Sequence, residues 1–278
     1  MELPFLKVHG CHNSFVIVRL ADIPVYRSFS AAQCEELARR VCDKGGGLGA
    51  DGFFLVSQGG EGIEVEMRNP DGGLMGMCGN GVRCVVRAVY RWGWERLPNP
   101  LSVHIGEHAV ICETSDEGRS VRVAMGPAQF DPALLPMLVE RPLRGHEVFL
   151  GGRSRSAWAV SMGNPHCVLQ DEGESLHGVG PLIEHDPLFP DRVNVEFVSV
   201  MSRDSIAVRV WERGAGPTQA CGTGACASAV VSIERGVCDS PLTVRMPGGD
   251  LTVEWDRLNN EVFLSGPAEE IASGVLFV

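Results

Sequence analysis

Lysine is almost missing from this chain: of 24 basic residues in 278, only Lys7 and Lys44 are lysines. A pyridoxal-type cofactor needs a Schiff-base lysine in its pocket. Lys7 lies in a run that reads as a strand, and Lys44 at a helix end before GGG, so neither has that setting. Closely spaced cysteine pairs are missing too. The ten cysteines (11, 34, 42, 78, 84, 112, 167, 221, 226 and 238) contain no C-x-x-C and no C-x-x-C…H-x-x-x-H pattern, which fits reduced thiols better than a disulfide framework or a zinc site; no metal is expected. No apolar run reaches the ~18 residues of a membrane span, and MELPFLKVHG lacks a basic segment followed by an apolar core. A soluble, cytoplasmic protein is expected. Positive charge is also in deficit. A formal charge of −11 repels nucleic acid and anionic membrane surfaces, which leaves a small molecule or another protein as partner.

With 44% hydrophobic residues the chain can bury one or two cores. Most of it reads as short β-branched or apolar runs separated by Gly, Pro, Asn and Asp, such as NSFVIVRL, DGFFLVSQ, GIEVEMR, VNVEFVSVM, IAVRVWE and LTVEW. Regular short strands of this kind predict closed or strongly curved sheets. Few helices are expected. One runs from Ser30 to about Asp43, with Ser30 and Gln33 as a capping box, Cys34, Leu37, Ala38 and Val41 inward, and Gly45 as a possible cap. Two more start just after Cys78 and Cys221 and run to Gly93 and Gly236.

Those two helix starts belong to a repeat. HGCHNSFVIV matches MGNPHCVL with a short gap, placing Asn13 over Asn164; Gly52 falls over Asn194, and Asn69 over Glu212. Asn69 precedes Cys78 by nine residues, as Glu212 precedes Cys221. Ordered landmarks at matched spacing imply two homologous halves, each a curved sheet around a helix, facing each other across a pseudo-twofold axis.

A helix's first turn offers free N–H groups and the positive end of its dipole, so a cysteine there is expected to have a lowered pKa. The glycines in CGNG and CGTG let an anionic group approach those donors. Two such thiols on opposite sides of one molecule suit inversion of a stereocentre, one removing a proton and the other returning one. The helix starts would stabilise charge accumulating on an adjacent carboxylate. A cofactor-free mechanism fits best.

These residues resemble the diaminopimelate epimerases, along nearly the whole chain: HGxxN at 9–13, GLGADG at 47–52, RNPDG at 68–72, MCGNGVRC at 77–84, MGNPHCV at 162–168, RVNVEFV at 192–198 and WERGAGPTQACGTGAC at 211–226. The resemblance implies an α+β fold of two pseudo-symmetric domains, each a curved, barrel-like, mostly antiparallel sheet around a central helix, with 1–122 plus 267–278 as one domain and 123–266 as the other. It implies Cys78 and Cys221 as the acid/base pair, with His166 and Glu212 tuning the thiols and orienting substrate. Asn13, Asn69, Asn164, Asn194, Glu212 and Arg213 would bind substrate, Arg213 holding the remote carboxylate, while Gly79, Asn80, Gly222 and Thr223 hold the reacting one. It further implies a homodimer, no cofactor, and conversion of LL-2,6-diaminopimelate to the meso form in lysine and peptidoglycan biosynthesis.

The chain departs from the family where many members read HGLGNDF and this one has HGCHNSF, and where some carry a glutamine and this one has Gly52. Both changes lie in the first half. A racemase or epimerase of another amino acid, such as histidine, glutamate or a proline derivative, is therefore the alternative. A thiol redox enzyme is disfavoured by the missing C-x-x-C, and a silent binding protein by the two retained thiols. GGGLGADG lacks the Lys-Ser/Thr ending of a phosphate loop. The cysteines at 11, 34, 42, 84, 112, 167, 226 and 238 are expected to pack as small hydrophobes.

Overall fold

A computed structural model describes residues 1–94, 98–139 and 141–278. Its elements run β1 (Glu2–Gly10), β2 (Asn13–Arg19), α1 (Ala31–Cys42), β3 (Gly52–Gln58), β4 (Ile63–Arg68), α2 (Gly79–Arg91), β5 (Leu101–Ile105), β6 (His108–Ser115) and β7 (Ser120–Gly126). They continue with β8 (Arg144–Leu150), β9 (Arg153–Ser161), β10 (Pro165–Gln170), α3 (Leu176–Glu184), β11 (Asn194–Ser202), β12 (Ser205–Glu212) and β13 (Gly216–Pro217). The last are α4 (Gly222–Glu234), β14 (Leu242–Met246), β15 (Gly249–Asp256), β16 (Glu261–Pro267) and β17 (Glu269–Phe277). Two compact units result, Met1–Val123 with Gly266–Val278, and Ala124–Ser265. The fold is mixed α+β, with few helices and extensive curved sheet.

The units share one connectivity. In the first, β1–β2 is antiparallel, β2–β3 parallel, β3–β4 antiparallel, β4–β5 parallel, and β5–β6 and β6–β7 antiparallel. In the second, β9–β10, β10–β11, β11–β12, β12–β14, β14–β15 and β15–β16 repeat that series in the same order. Each parallel pair needs a crossover, and the four helices supply them. The register of the halves agrees residue by residue. Phe15 pairs with Gly52 and Phe53 with Arg68; His166 pairs with Asn194 and Val195 with Trp211. Asn13 over Asn164, Gly52 over Asn194 and Asn69 over Glu212 are thus structural equivalences. The outermost strand of the first unit is β17, antiparallel to β1, and of the second β8, antiparallel to β9.

Alternation along the strands divides each sheet between two helices. In the first unit Val16, Val18, Phe53 and Leu55 join Cys34, Leu37, Ala38 and Val41 of α1 in one core, while Phe54, on the other face, lies against Gly81 of α2. The second unit repeats this, with Ile183 of α3 in a core with Leu169, Val195 and Phe197. Helix α4 packs against β9, β10, β11, β12, β14 and β15, so the sheet wraps it. Its sequence, GTGACASAVVSIE, is small or apolar all round up to the terminal Glu234, as such burial requires.

The capping box at Ser30 and Gln33 is present. Gly45 does not cap α1: Asp43 turns the chain extended, and its carbonyl accepts from the N–H groups of Gly47 and Gly49. Helix α3 falls where no helix is expected, since Gly178, Gly180 and Pro181 lie inside it. Lys7 on β1 donates to the carbonyls of Leu48 and Gly49, holding the GGGLGADG loop and giving this lysine a structural task.

Candidate active site

Each unit places a cysteine at the N-cap of its central helix. Cys78 (φ −130°, ψ 107°) precedes α2 and Cys221 (φ −123°, ψ 115°) precedes α4, both helices being 13 residues long. The Cys78 sulfur accepts from the Gly81 N–H at 3.4 Å. Gly81 and Gly224, three residues after each thiol, are required by what lies against them. A β-carbon on Gly81 would sit 2.8 Å from the Phe54 ring, and one on Gly224 2.8 Å from Glu196 Oε1.

What lies against the two helix starts differs. In the first unit Phe15 and Phe54 stack with ring centroids 4.6 Å apart. At the equivalent positions of the second unit stand His166 and Glu196, fully buried, with Nδ1 and Oε1 2.7 Å apart. His166 Nε2 lies 2.9 Å from Asn164 Oδ1, and Asn164 Nδ2 donates to Thr223 Oγ1 at 3.3 Å. Thr223 Oγ1 is in turn 3.5 Å from Cys221 Sγ. Asn164, His166, Thr223 and Cys221, all expected from the sequence, are therefore brought together. Glu196 was not among the expected residues. Its signal was a carboxylate inside the apolar run VNVEFVSV, on a strand that both faces bury.

Burial acts first on the Cys221 thiol, and the carboxylates of Glu212 and Glu196 add to it, pushing the thiol well above its ordinary value. The Thr223 hydroxyl and the Gly224 N–H pull the other way and are outweighed. The expected lowering of the pKa at this helix start is thus corrected: desolvation and two nearby acids exceed the helix-end effect. Glu196 is itself raised, by burial, against the lowering influence of His166. Burial also raises the thiols of Cys42 and Cys112 to about 12 and those of Cys84 and Cys167 still further, consistent with inert packing.

The remaining expected residues have definite places. Asn13 opens β2 opposite Gly10, across a two-residue turn in which Cys11 (φ 53°) and His12 (φ 63°) are both left-handed. Asn69 closes the RNPDG turn through its N–H to the Gly73 carbonyl at 2.8 Å. Asn80, 2% exposed, follows Gly79 in the first turn of α2. Gly222 opens α4. Asn194 is committed to bracing: its Nδ2 donates to the Pro165 carbonyl and its Oδ1 accepts from the Arg213 N–H, both at 2.9 Å. The Arg213 guanidinium donates to the Asp191 carbonyl, and Glu212 accepts from the Thr218 hydroxyl. Glu184, another residue missed from sequence, supports this ERGAG segment. Burial would raise its carboxyl, but the Trp211 indole N–H (2.7 Å) and the Gly214 N–H (2.8 Å) outweigh that and hold it low. Gly52 has no room for a side chain, since a β-carbon would lie 3.0–3.1 Å from Phe54, Arg68 and Phe15. Among the described residues no group of three or more His, Cys, Asp or Glu is arranged to hold a metal ion.

The sequence profile of the family described as diaminopimelate epimerase matches residues 5–131 and 158–271. The chain belongs to the diaminopimelate epimerase family. Similar family members include the diaminopimelate epimerase of Moorella thermoacetica, 41% identical over 97% of this chain and 98% of the relative, and that of Desulforudis audaxviator, 42% identical over 98% of each. The fold of these epimerases is shared more widely. A predicted epimerase from Pseudomonas aeruginosa aligns with TM-score 0.67 over 99% of both chains at 14% identity. A hydroxyproline epimerase from Agrobacterium vitis, with bound trans-4-hydroxy-L-proline, gives 0.67 over 99% of this chain and 91% of its own, also at 14%. Among the described residues no helix is long and apolar enough to cross a membrane.

Proposed function

We propose that this protein inverts LL-2,6-diaminopimelate to meso-diaminopimelate, as an isomerase of lysine and peptidoglycan biosynthesis. The observation that carries the reading is the repeated cysteine-capped helix start, one per unit, within matched strand connectivity. Inversion without a cofactor needs two acid/base groups. A thiolate takes the α-proton from one face of the substrate carbon, the electron pair moves onto the neighbouring carboxylate, and the other thiol delivers its proton to the opposite face. The first thiol is then protonated and the second ionised, so charge and protons balance. The raised pKa of Cys221 keeps its thiol in the protonated form near neutral pH. N–H groups at Gly79 and Asn80, and at Gly222 and Thr223, stand in the first turns of α2 and α4 and are assigned to the reacting carboxylate. Glu212 and His166 are assigned to tuning and orientation, and Asn13, Asn69, Asn164, Asn194 and Arg213 to substrate binding.

The protein is further proposed to act in the cytoplasm as a homodimer. Support for the dimer comes from β17, whose Ile271, Val275 and Phe277 are exposed.

Incubation of reduced protein in heavy water with LL-diaminopimelate and a panel of L-amino acids tests the assignment. Deuterium should enter the α-position of diaminopimelate as its configuration inverts. Exchange into another amino acid with none into diaminopimelate would overturn the substrate and favour the related racemase.

A further inference from the structure

We infer that Glu196 is a positioning residue for Cys221, acting through His166, Asn164 and Thr223 to aim a hydroxyl proton at the sulfur. The inference rests on the two-thiol reading above and names a part of the second thiol's machinery.

The direction of the hydrogen bonds follows from the groups in contact. Asn164 Nδ2 can only donate, so Thr223 Oγ1 accepts from it at 3.3 Å. The hydroxyl proton of Thr223 is then available to Cys221 Sγ at 3.5 Å. With its nitrogen so used, Asn164 presents Oδ1 to His166 Nε2 at 2.9 Å, and an oxygen acceptor there requires a proton on Nε2. Glu196 Oε1 faces Nδ1 at 2.7 Å, and one proton lies in that contact. Whether nitrogen or oxygen holds it, the pair is neutral overall and Nε2 keeps its own proton. Glu196 thus fixes the imidazole with its Nε2–H towards Asn164. Without it, a neutral imidazole could carry its proton on Nδ1 and offer Nε2 as an acceptor. Asn164 would then turn its amide, and Thr223 would donate to Asn164 instead of to sulfur.

Packing alone does not call for this pair. At the equivalent positions of the first unit the same strands carry Phe15 and Phe54, stacked and apolar, beneath the same kind of helix start. The second unit instead buries two ionisable groups completely and leaves Glu196 Oε2 without a hydrogen-bond partner among the described residues. Desolvating such a pair is costly, where an apolar pair of similar size costs nothing of the kind. Glu196 Oε1 also lies where a β-carbon on Gly224 would intrude, so the carboxyl abuts the first turn of α4 itself. The halves therefore share a scaffold but differ in what supports the thiol.

The test uses the full-length reduced protein and iodoacetamide, with the alkylation rate of each cysteine followed by peptide mass mapping over a range of pH. In Glu196→Leu the sulfur loses its hydroxyl donor and also a nearby carboxyl that raises it. Because His166 already offsets that carboxyl's charge, the lost donor outweighs it, and alkylation of Cys221 should slow by about tenfold at fixed pH with its midpoint moved up. Cys78 should be unchanged. In Glu196→Gln the amide N–H still donates to Nδ1 and keeps the proton on Nε2, so the Cys221 profile should stay near wild type. Thr223→Val removes the last donor without touching the buried pair and should reproduce the loss seen in Glu196→Leu. With LL-diaminopimelate both damaging variants should lower kcat with little change in KM. An unchanged Cys221 profile in Glu196→Leu and Thr223→Val would overturn the inference, as would equal slowing at Cys78 or a Gln variant as impaired as Leu. Alkylation needs no substrate, so absence of α-deuteration in the wild type would overturn the epimerase reading alone.

Discussion

His12 holds φ at 63° in the two-residue turn between β1 and β2. A side chain there works against the backbone, and Cys11 beside it is left-handed as well. His12→Gly should stabilise the protein by roughly 0.5–1 kcal/mol, the relief of strain exceeding glycine's extra entropy when unfolded; thermal melting should show a higher midpoint with no loss of two-state behaviour. For the thiols, Cys78→Ala and Cys221→Ala should each lower the inversion rate by at least ~10²-fold while circular dichroism stays native. Full inversion by either variant would remove its cysteine from the mechanism. At this scale the sequence was legible wherever function is written locally: a cysteine before two glycines and a helix needs only a few adjacent letters. His166 and Glu196 are 30 residues apart and meet only because β10 and β11 are parallel in one particular register. A one-residue slip would point Glu196 to the opposite face, so the pair could not be found without the register.

Helix α3 marks the limit at the level of elements. Gly178, Gly180 and Pro181 argue against a helix, yet Leu176–Glu184 forms one because tertiary packing overrides that preference. Gly180 faces the Trp211 indole so closely that a β-carbon would be 2.5 Å from the ring. Gly180→Ala should therefore destabilise by about 1–3 kcal/mol despite alanine's better helix propensity. A lower urea midpoint checks this, and a stabilised variant would mean that Trp211 moves aside. Helix α1 is the opposite case, its start being specified by Ser30 and Gln33 alone; Ser30→Ala should cost about 1 kcal/mol, read in the same titration. Strand β17 carries no alternation that a sequence reader could use, since most of EEIASGVLF is exposed; the resemblance alone assigned it to the first domain, and its place beside β1 comes from the structure.

The repeat organises the whole molecule, and it was legible because four landmarks keep their order in both halves and the last three, from Gly52 and Asn194 onward, keep nearly the same spacing. The two halves also share a titration property. Cys42, Cys84, Cys112, Cys167 and Cys221 are all held neutral by burial. Their native pKa values lie above the ordinary 9.0, so the unfolded chain releases protons first as pH rises. Their contribution is fully present below about pH 9 and is lost as pH climbs towards the native values, near 12 for Cys42 and Cys112. Unfolding free energy from urea titrations should thus fall with rising pH above about 9, each thiol adding up to ~1.4 kcal/mol per pH unit. Cys112→Ala should make that slope shallower; an unchanged slope would place Cys112 outside the effect. The connectivity of the two units also orders their birth. The second is one continuous stretch, Ala124–Ser265, whereas the first requires Gly266–Val278 to complete it. On the ribosome, β1 is made before the whole of the second unit and its neighbour β17 after it. The first-made unit must therefore wait with an open sheet edge while the second is synthesised, and is the later of the two to be finished.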